Sequence, residues 1–304
     1  MTRPAHPVVA VLTIAHGRHD HLAGQLRALL RSDLRPDLYV VAAMDDPQIR
    51  DVVAAADGVA GRTVVVDVPT TGGTLPLAAA RNAAAAAAIG AGADVLVVLD
   101  VDCLPSPDLV RTYRDALAHL DRLEPTNGSA GSPGPAVVSG PVHYLPPRSP
   151  GGYAAADLAA STPHPARPRV APGDPVRADD VLLFWSLSFA VTSAAWEQIG
   201  GFDEGYRGYG GEDTDFAMLL ERAGGALWWV AGAVAHHQHH EVDSPPVRHL
   251  ADIVRNSNRF EGRWGFYPMG GWLDAFADAG LVTRAGTPAR WMLTAAGDRA
   301  ARSR

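Results

Sequence analysis

Over its first hundred residues the chain alternates compact apolar runs with amphipathic stretches. Val8–Ala15, Leu38–Met44, Thr63–Val68 and Asp94–Leu99 are short, continuous and rich in β-branched residues, the pattern of strands buried on both faces. Helix-like stretches lie between them at His19–Leu30, Pro47–Ala56 and Leu75–Ile89, the last after the loop Pro69–Thr74. Strands that alternate with helices predict an α/β protein with a mainly parallel central sheet and helices on both faces.

The second half is less regular. A helix is expected at Ser106–Leu120, then a surface connection at Glu124–Pro135, where Pro, Gly, Ser and Asn dominate. Val137–Tyr144 reads as a strand. Pro146–Asp179 holds many prolines and glycines with little periodicity, and a loop that long suits a lid or a binding loop. Val181–Thr192 is expected to be a strand and Ser193–Ile199 a helix. A helix at Glu212–Ala223, strands near Ala226–Val230 and Ala233–His237, and helices about Val247–Phe260 and Trp272–Ala279 complete the pattern. The expected organisation is one Rossmann-like domain over residues 1–304. Residues 1–120 form its nucleotide-type half, and residues 136–304, with loop 146–179, form its acceptor and catalytic half.

Composition narrows the function. At 304 residues, 47% hydrophobic and 19% charged, the chain matches an ordinary globular protein with length enough for a sizeable core. Its net charge of −7 argues against a nucleic-acid partner, which calls for a basic face. All 26 basic residues are arginine, which beside so much Ala, Gly and Pro reads as coding bias. Cys103 is the single cysteine, so no internal disulfide is expected and a reducing compartment fits. There is no apolar run of about 18 residues, and MTRPAHPVVAVLTIAHGRHDH lacks a cleavage pattern. The expected location is therefore cytoplasmic, with no transmembrane segment.

Three stretches carry candidate chemistry. DVLVVLDVDC sets Asp100 and Asp102 where a buried strand runs out, the end at which open α/β sheets bind ligands. Side chains two apart on extended chain share a face, so both carboxylates are expected to serve one cation and its anionic ligand. Oxygen donors of this kind suit Mg²⁺ or Mn²⁺ bridged to phosphates, although a bare Asp-x-Asp can also simply end a strand.

In YRGYGGEDTDF, Gly210 and Gly211 allow a sharp turn, and Glu212, Asp213 and Asp215 fall in the first turn of a helix. Acids there complement the helix dipole by about 0.3–1 kcal/mol each, a role that accounts for Asp215. Successive helical residues diverge by about 100°, so one acid can enter a cleft while its neighbour turns elsewhere. Tyr206 and Tyr209 offer flat faces for stacking on sugars. Finally, His236–His240 places four histidines in five residues, a metal-binding pattern. Strand alternation pairs His237 with His239 and His236 with Gln238; His237, then His239, are favoured over His236. Imidazole suits Mn²⁺ better than Mg²⁺.

TIAHGRHDHL, the Ala80–Asn82 triplet and Asp100–Asp102 resemble the GT-A glycosyltransferases, particularly family 2. FWSLSFAVTSAAWEQIGGFDEGYRGYGGEDTDF resembles the β-1,4-galactosyltransferases, a likeness running from about Phe184 to Phe260, with Tyr209 where that family has a mobile tryptophan. The resemblance implies a GT-A fold. Thr13, Ala15, His16 and Arg18 would line the nucleotide, Asp45 or Asp46 would reach its base, and Arg81 would help hold nucleotide or phosphates. Asp100 would hold the ribose and Asp102 the metal, with a histidine beyond the Glu-Asp pair completing the shell. Asp213 would be the general base and Glu212 a sugar contact. Tyr206, Tyr209, Gly210, Gly211 and Trp185 are the expected acceptor and sugar contacts, whereas Arg259 and Trp264 are assigned to packing.

The expected function is an inverting glycosyltransferase dependent on Mn²⁺ (or Mg²⁺). It would move a sugar from a nucleoside-diphosphate donor, UDP-linked, to a hydroxyl on a glycan, lipid-linked sugar or small molecule. The alternatives are a non-catalytic sugar-nucleotide or glycan binder and a sugar-1-phosphate nucleotidyltransferase. The latter needs a glycine-rich basic loop, and TIAHGRHDH has one glycine and one arginine. Loop 146–179 and the Tyr206–Gly211 loop are expected to close over the substrates.

Overall fold

The computed structural model describes residues 6–123, 134–149, 152–241 and 243–302; most of the expected connection Glu124–Pro135 lies outside them. Strands β1 (Val9–Ala15), β2 (Leu38–Met44), β3 (Arg62–Val68) and β4 (Val95–Leu99) are mutually parallel. Helices α1 (His19–Leu29), α2 (Ile49–Ala54) and α3 (Leu77–Gly90) connect them. Next come β5 (Cys103–Pro105), α4 (Leu109–Arg122), β6 (Ala136–Ser139), β7 (Val142–Tyr144), α5 (Ala155–Ala160), β8 (Thr162–Pro163) and β9 (Val176–Arg177). They are followed by β10 (Ser188–Thr192), α6 (Ser193–Ile199), α7 (Glu212–Arg222), β11 (Ala226–Trp229) and β12 (Ala235–His237). The tail adds α8 (Leu250–Trp264), α9 (Gly270–Asp278), the hairpin β13 (Val282–Ala285) and β14 (Arg290–Leu293), and α10 (Ala295–Arg302).

The central sheet runs β3-β2-β1-β4-β10-β6-β11-β9. Only β10 and β9 oppose the common direction, so β1, β2, β4, β6 and β11 all end at one edge. Alternate residues face opposite layers. Leu12, Val40 and Val98 pack against α3, α6 and α7 on one side, and Val11, Val41 and Val97 against α1 and α4 on the other. Helix α3 presents Ala78, Ala80, Ala84, Ala85 and Ala88 to the sheet, all fully buried, and side chains this small let the helix lie close. A third core, formed by Leu250, Ile253, Leu273 and Phe276 of the tail helices with Val282, stands apart from the first two. No helix among the described residues is long and apolar enough to cross a membrane.

The expected strand Val137–Tyr144 is two strands in two sheets. A Cβ at Gly140 would lie 2.1 Å from the Ala233 carbonyl oxygen, and Pro141 has no N–H to continue a ladder, so the chain leaves the main sheet there. A smaller sheet follows, ordered β5-β12-β7-β8, which pairs His237 with Cys103 and Tyr144. Val181–Thr192 is strand only from Ser188. Its start is a 3₁₀ turn over Val181–Leu183, where the Asp180 carboxylate accepts the Leu182 N–H (2.8 Å). Within loop 146–179, Tyr153 and Leu158 pack on Leu104 and Leu145. The tail hairpin and α10 had no counterpart in the sequence pattern.

Candidate active site

The common edge gathers most of the expected residues, but not all as expected. Asp100 and Asp102 diverge. The strand ends at Leu99 and the chain turns, with the Cys103 N–H donating to the Asp100 carbonyl (2.9 Å). The alternation that would have aimed both carboxylates at one cation therefore does not apply.

Asp100 accepts from Arg81 (3.0 Å), and the same guanidinium reaches Glu212 Oε1 (3.3 Å). Arg81 is buried, so it is neither a surface ion pair nor an open phosphate ligand; it joins the end of β4 to the start of α7. Burial works against its charge, but Asp100 and Glu212 outweigh burial and hold it protonated. Burial pushes the Glu212 carboxyl up to about 7, the charge of Asp213 adds to the push, and Arg81 opposes it. Glu212 Oε2 is buried without a hydrogen-bond partner among the described residues. Asp213 is half-buried and accepts the Thr214 N–H (2.8 Å). Burial raises its carboxyl above the ordinary value, against the pull of Arg81 and Arg167.

Asp102 faces a different group. Its Oδ2 lies 2.5 Å from Arg18 Nη1, 3.6 Å from His237 Nε2 and 3.5 Å from His240 Nε2. Burial opposes its charge, yet His240, His237 and Arg18 prevail and hold it well below the usual carboxylate range. Burial lowers the His237 imidazole pKa against the pull of Asp102, which favours the neutral form that ligates metals, and its ring stacks on Tyr144 at 4.8 Å. Ligand atoms of Asp102, His237 and His240 all lie within 4.8 Å of one another. One carboxylate and two imidazoles can ligate a divalent transition metal, provided Arg18 yields the oxygen it now holds. His239 is corrected by this geometry. Strand β12 stops at His237, so alternation fails beyond it; His239 is exposed and its N–H donates to the Tyr153 hydroxyl (2.9 Å). His236 turns to Ser161 (2.9 Å). His240 belongs to the four-histidine cluster read as metal-binding, but strand alternation did not single it out, because it lies beyond the end of β12.

Most of the other residues expected at the nucleotide are engaged within the fold. Thr13 is buried, and its hydroxyl lies 2.8 Å from Gln25 Oε1 and 3.0 Å from the Leu99 carbonyl oxygen, so its side chain serves the core. Ala15 is buried at the end of β1. His16 Nδ1 lies 2.6 Å from the Met44 carbonyl oxygen. Asp46 accepts the Gly17 N–H (2.7 Å) and His19 (2.8 Å), and Asp45 accepts the Thr70 N–H (2.7 Å) and its hydroxyl. Both acids thus tie neighbouring loops together.

Tyr206 is 1% exposed and donates to Asp215 (3.1 Å); it is a core residue, not a sugar platform. Asp215 is more than a helix-start acid. Fully buried, it also takes Trp264 Nε1 (2.7 Å) and Arg263 Nε (3.1 Å), and so fastens α7 to α8. Arg259 pairs with Asp203, in keeping with packing roles for the tail. Tyr209 is 39% exposed and stacks on His249 at 4.5 Å. Gly210 and Gly211, at φ +95° and +90°, carry the chain past Met269 and Tyr206. Trp185 supports Arg167, whose Cζ lies 4.3 Å from the ring centroid. Asp252 and Asn256, missed in the sequence, bond the backbone of the Arg207–Tyr209 loop.

The chain is similar to known proteins in part of its sequence and in its fold. Residues 183–241 match the family described as the N-terminal domain of galactosyltransferase, a span that includes Glu212, Asp213, His237 and His240. Validoxylamine A glucosyltransferase of Streptomyces hygroscopicus subsp. limoneus is 25% identical over 283 residues, covering 84% of this chain; the chain spans only 56% of that relative. Among solved structures, GalNAc-T7 with UDP, GalNAc and Mn²⁺ superposes with a TM-score of 0.53 at 15% identity, covering 91% of this chain and 57% of that one. TarS 1-349 of S. aureus with UDP-GlcNAc gives 0.55 at 12%, covering 89% and 80%. The mannosyltransferase PcManGT of Pyrobaculum calidifontis with GDP-Man and Mn²⁺ gives 0.52 at 16%, covering 90% and 76%. These are GT-A glycosyltransferases, and the chain has their fold.

Proposed function

We propose that the chain is an inverting, metal-dependent glycosyltransferase that takes a nucleoside-diphosphate sugar, UDP-linked, and an acceptor hydroxyl. One observation carries the reading. A carboxylate–imidazole group (Asp102, His237, His240) and an acidic pair at a helix start (Glu212, Asp213) meet at the ligand-binding edge of a GT-A sheet, linked through Arg81 and Asp100. The relative's name speaks of glucosyl transfer, and the structural neighbours hold UDP, UDP-GlcNAc or GDP-Man, two of them with Mn²⁺.

Asp213 takes the proton of the acceptor hydroxyl as that oxygen attacks the anomeric carbon from the face opposite the diphosphate. The new C–O bond forms as the bond to the diphosphate breaks, and the diphosphate departs with the electron pair. The anomeric centre passes through an oxocarbenium-like state, as in glycoside hydrolysis. Asp102, His237 and His240 would hold Mn²⁺, which when bound supplies Lewis-acid charge beside the diphosphate. Arg81 fixes Asp100 and Glu212 relative to each other, so the donor side and acceptor side keep one geometry.

The test is nucleotide release from a panel of UDP- and GDP-sugars with Mn²⁺, followed by NMR of the product anomer. Asp213→Asn should lower turnover by about 10²–10⁴-fold while UDP binding stays unchanged. Wild-type turnover in that variant would remove Asp213 from the mechanism. Tight UDP binding without turnover of any sugar would make the chain a binder, and a retained anomer would exclude single displacement.

A further inference from the structure

Beyond the carboxyl ends of β6 and β11 lies a cavity of about 200 Å³ that the mechanism does not use. Ser139, His143, Arg167, Arg169, Trp229 and Ala231 are among its walls, and no carboxylate of the described residues is, in a chain whose net charge is −7. Arg167 comes from loop 146–179 and is 5% exposed. It donates to the carbonyl oxygens of Leu183 (2.8 Å) and Trp185 (3.5 Å), and its Cζ sits 4.3 Å from the Trp185 ring centroid and 5.3 Å from that of Trp229. Its Nε is buried without a hydrogen-bond partner, and no ion pair to it forms among the described residues.

A buried guanidinium without a direct ion-pair partner is costly. Burial depresses its pKa to about 10, yet it remains a cation at neutral pH. Arginine presents a planar fork of donors that matches carboxylate and phosphate oxygens. Two indole walls hold this fork in place, and the adjoining space is small for a drug-sized ligand but ample for such an anion. The charge of Arg167 also reaches Asp213 and lowers its carboxyl pKa, so the cavity stands within electrostatic range of the proposed base.

We infer that this cavity is an anion subsite that takes a phosphate or carboxylate group carried by the acceptor, with Arg167 as its fixed cation and Arg169 at its rim. Assigning the anion to the acceptor rests on the transferase reading; the existence of the subsite does not.

The experiment is calorimetric titration of the full chain with glucose 6-phosphate, glucuronate, inorganic phosphate and glucose, each with and without saturating UDP and Mn²⁺. At least one anion should bind saturably at concentrations where glucose does not, and should still bind when UDP occupies the donor site. Glucose 6-phosphate against glucuronate separates phosphate from carboxylate, and inorganic phosphate shows whether the sugar is needed. Arg167→Met should weaken binding about tenfold or more, the usual loss for a charge-assisted hydrogen bond. Ala231→Glu, which keeps Arg167 and puts a carboxylate on the wall, should do the same, and it decides alone if Arg167→Met melts early. The inference is overturned if none of the anions binds, if UDP displaces all of them, or if Ala231→Glu leaves binding intact. Anion binding with no sugar transfer from any donor sinks the transferase reading alone; transfer without anion binding sinks the subsite alone.

Discussion

Glu212 and Asp213 are adjacent in sequence yet differ in what they can do. Glu212 is held against Arg81 and buried, whereas Asp213 is half-buried and free of such a clamp among the described residues. Only Asp213 combines access with a raised carboxyl, which suits a base that must hold a proton during transfer. Glu212 gives a stability signature instead. Its carboxyl stands at about 7, against an ordinary 4.5. The folded chain keeps that proton where the unfolded chain has lost it, so the stabilising contribution is full below about pH 4.5 and declines as pH rises toward 7. Glu212→Gln cannot titrate. Denaturant midpoints should therefore show wild type losing ground to the variant between about pH 5 and pH 7, with the difference level above that. A difference constant over the whole range would return Glu212 to an ordinary carboxyl.

Elements differ in how much of them the sequence revealed. Strands β1 to β4 are legible because a parallel strand covered on both faces is an unbroken apolar run, and its ends are marked by Asp, Gly or Pro. Their place in the sheet also located Asp100, Asp102 and the loop after β1. The smaller sheet was legible only in part: β7 and β12 fall within the expected strands Val137–Tyr144 and Ala233–His237, whereas β5 and β8 were not expected. Its strands are two or three residues long, too short for periodicity, and their partners lie far away in sequence. The divergence of Asp100 from Asp102, the inward turn of Tyr206 and the replacement of His239 by His240 all depend on tertiary register. These assignments separate cleanly in metal titrations followed by Mn²⁺ paramagnetic resonance. His237→Ala and His240→Ala should each weaken Mn²⁺ binding by about tenfold or more, and His239→Ala should leave it unchanged. Equal loss in His239→Ala would restore the alternation that the end of β12 breaks.

At the scale of the whole molecule, the three largest apolar clusters among the described residues each support part of one edge. Two lie on the faces of the main sheet and carry the proposed donor-side residues at its edge. The third belongs to the tail helices and hairpin, and through Asp252 and Asn256 it bonds the loop that leads to Asp213. The proposed catalytic residues are therefore shared between layers that do not share a core. The long loop contributes as well, through Arg167 beneath Trp185 and Tyr153 beside His239.

That division gives the two sides of the edge separate clocks. The Tyr209 N–H is held by Asp252 of α8 (3.3 Å), whereas the β1 amides are locked into ladders on both sides. Separate cores open with separate free energies. In native-state hydrogen exchange, the Tyr209 amide should lose its proton in step with α8 and well before β1. Deleting the third core's Phe276 side chain (Phe276→Ala) should quicken Tyr209 and α8 together and leave β1 alone. Exchange of Tyr209 at the pace of β1 would mean that the tail and the sheet breathe as one.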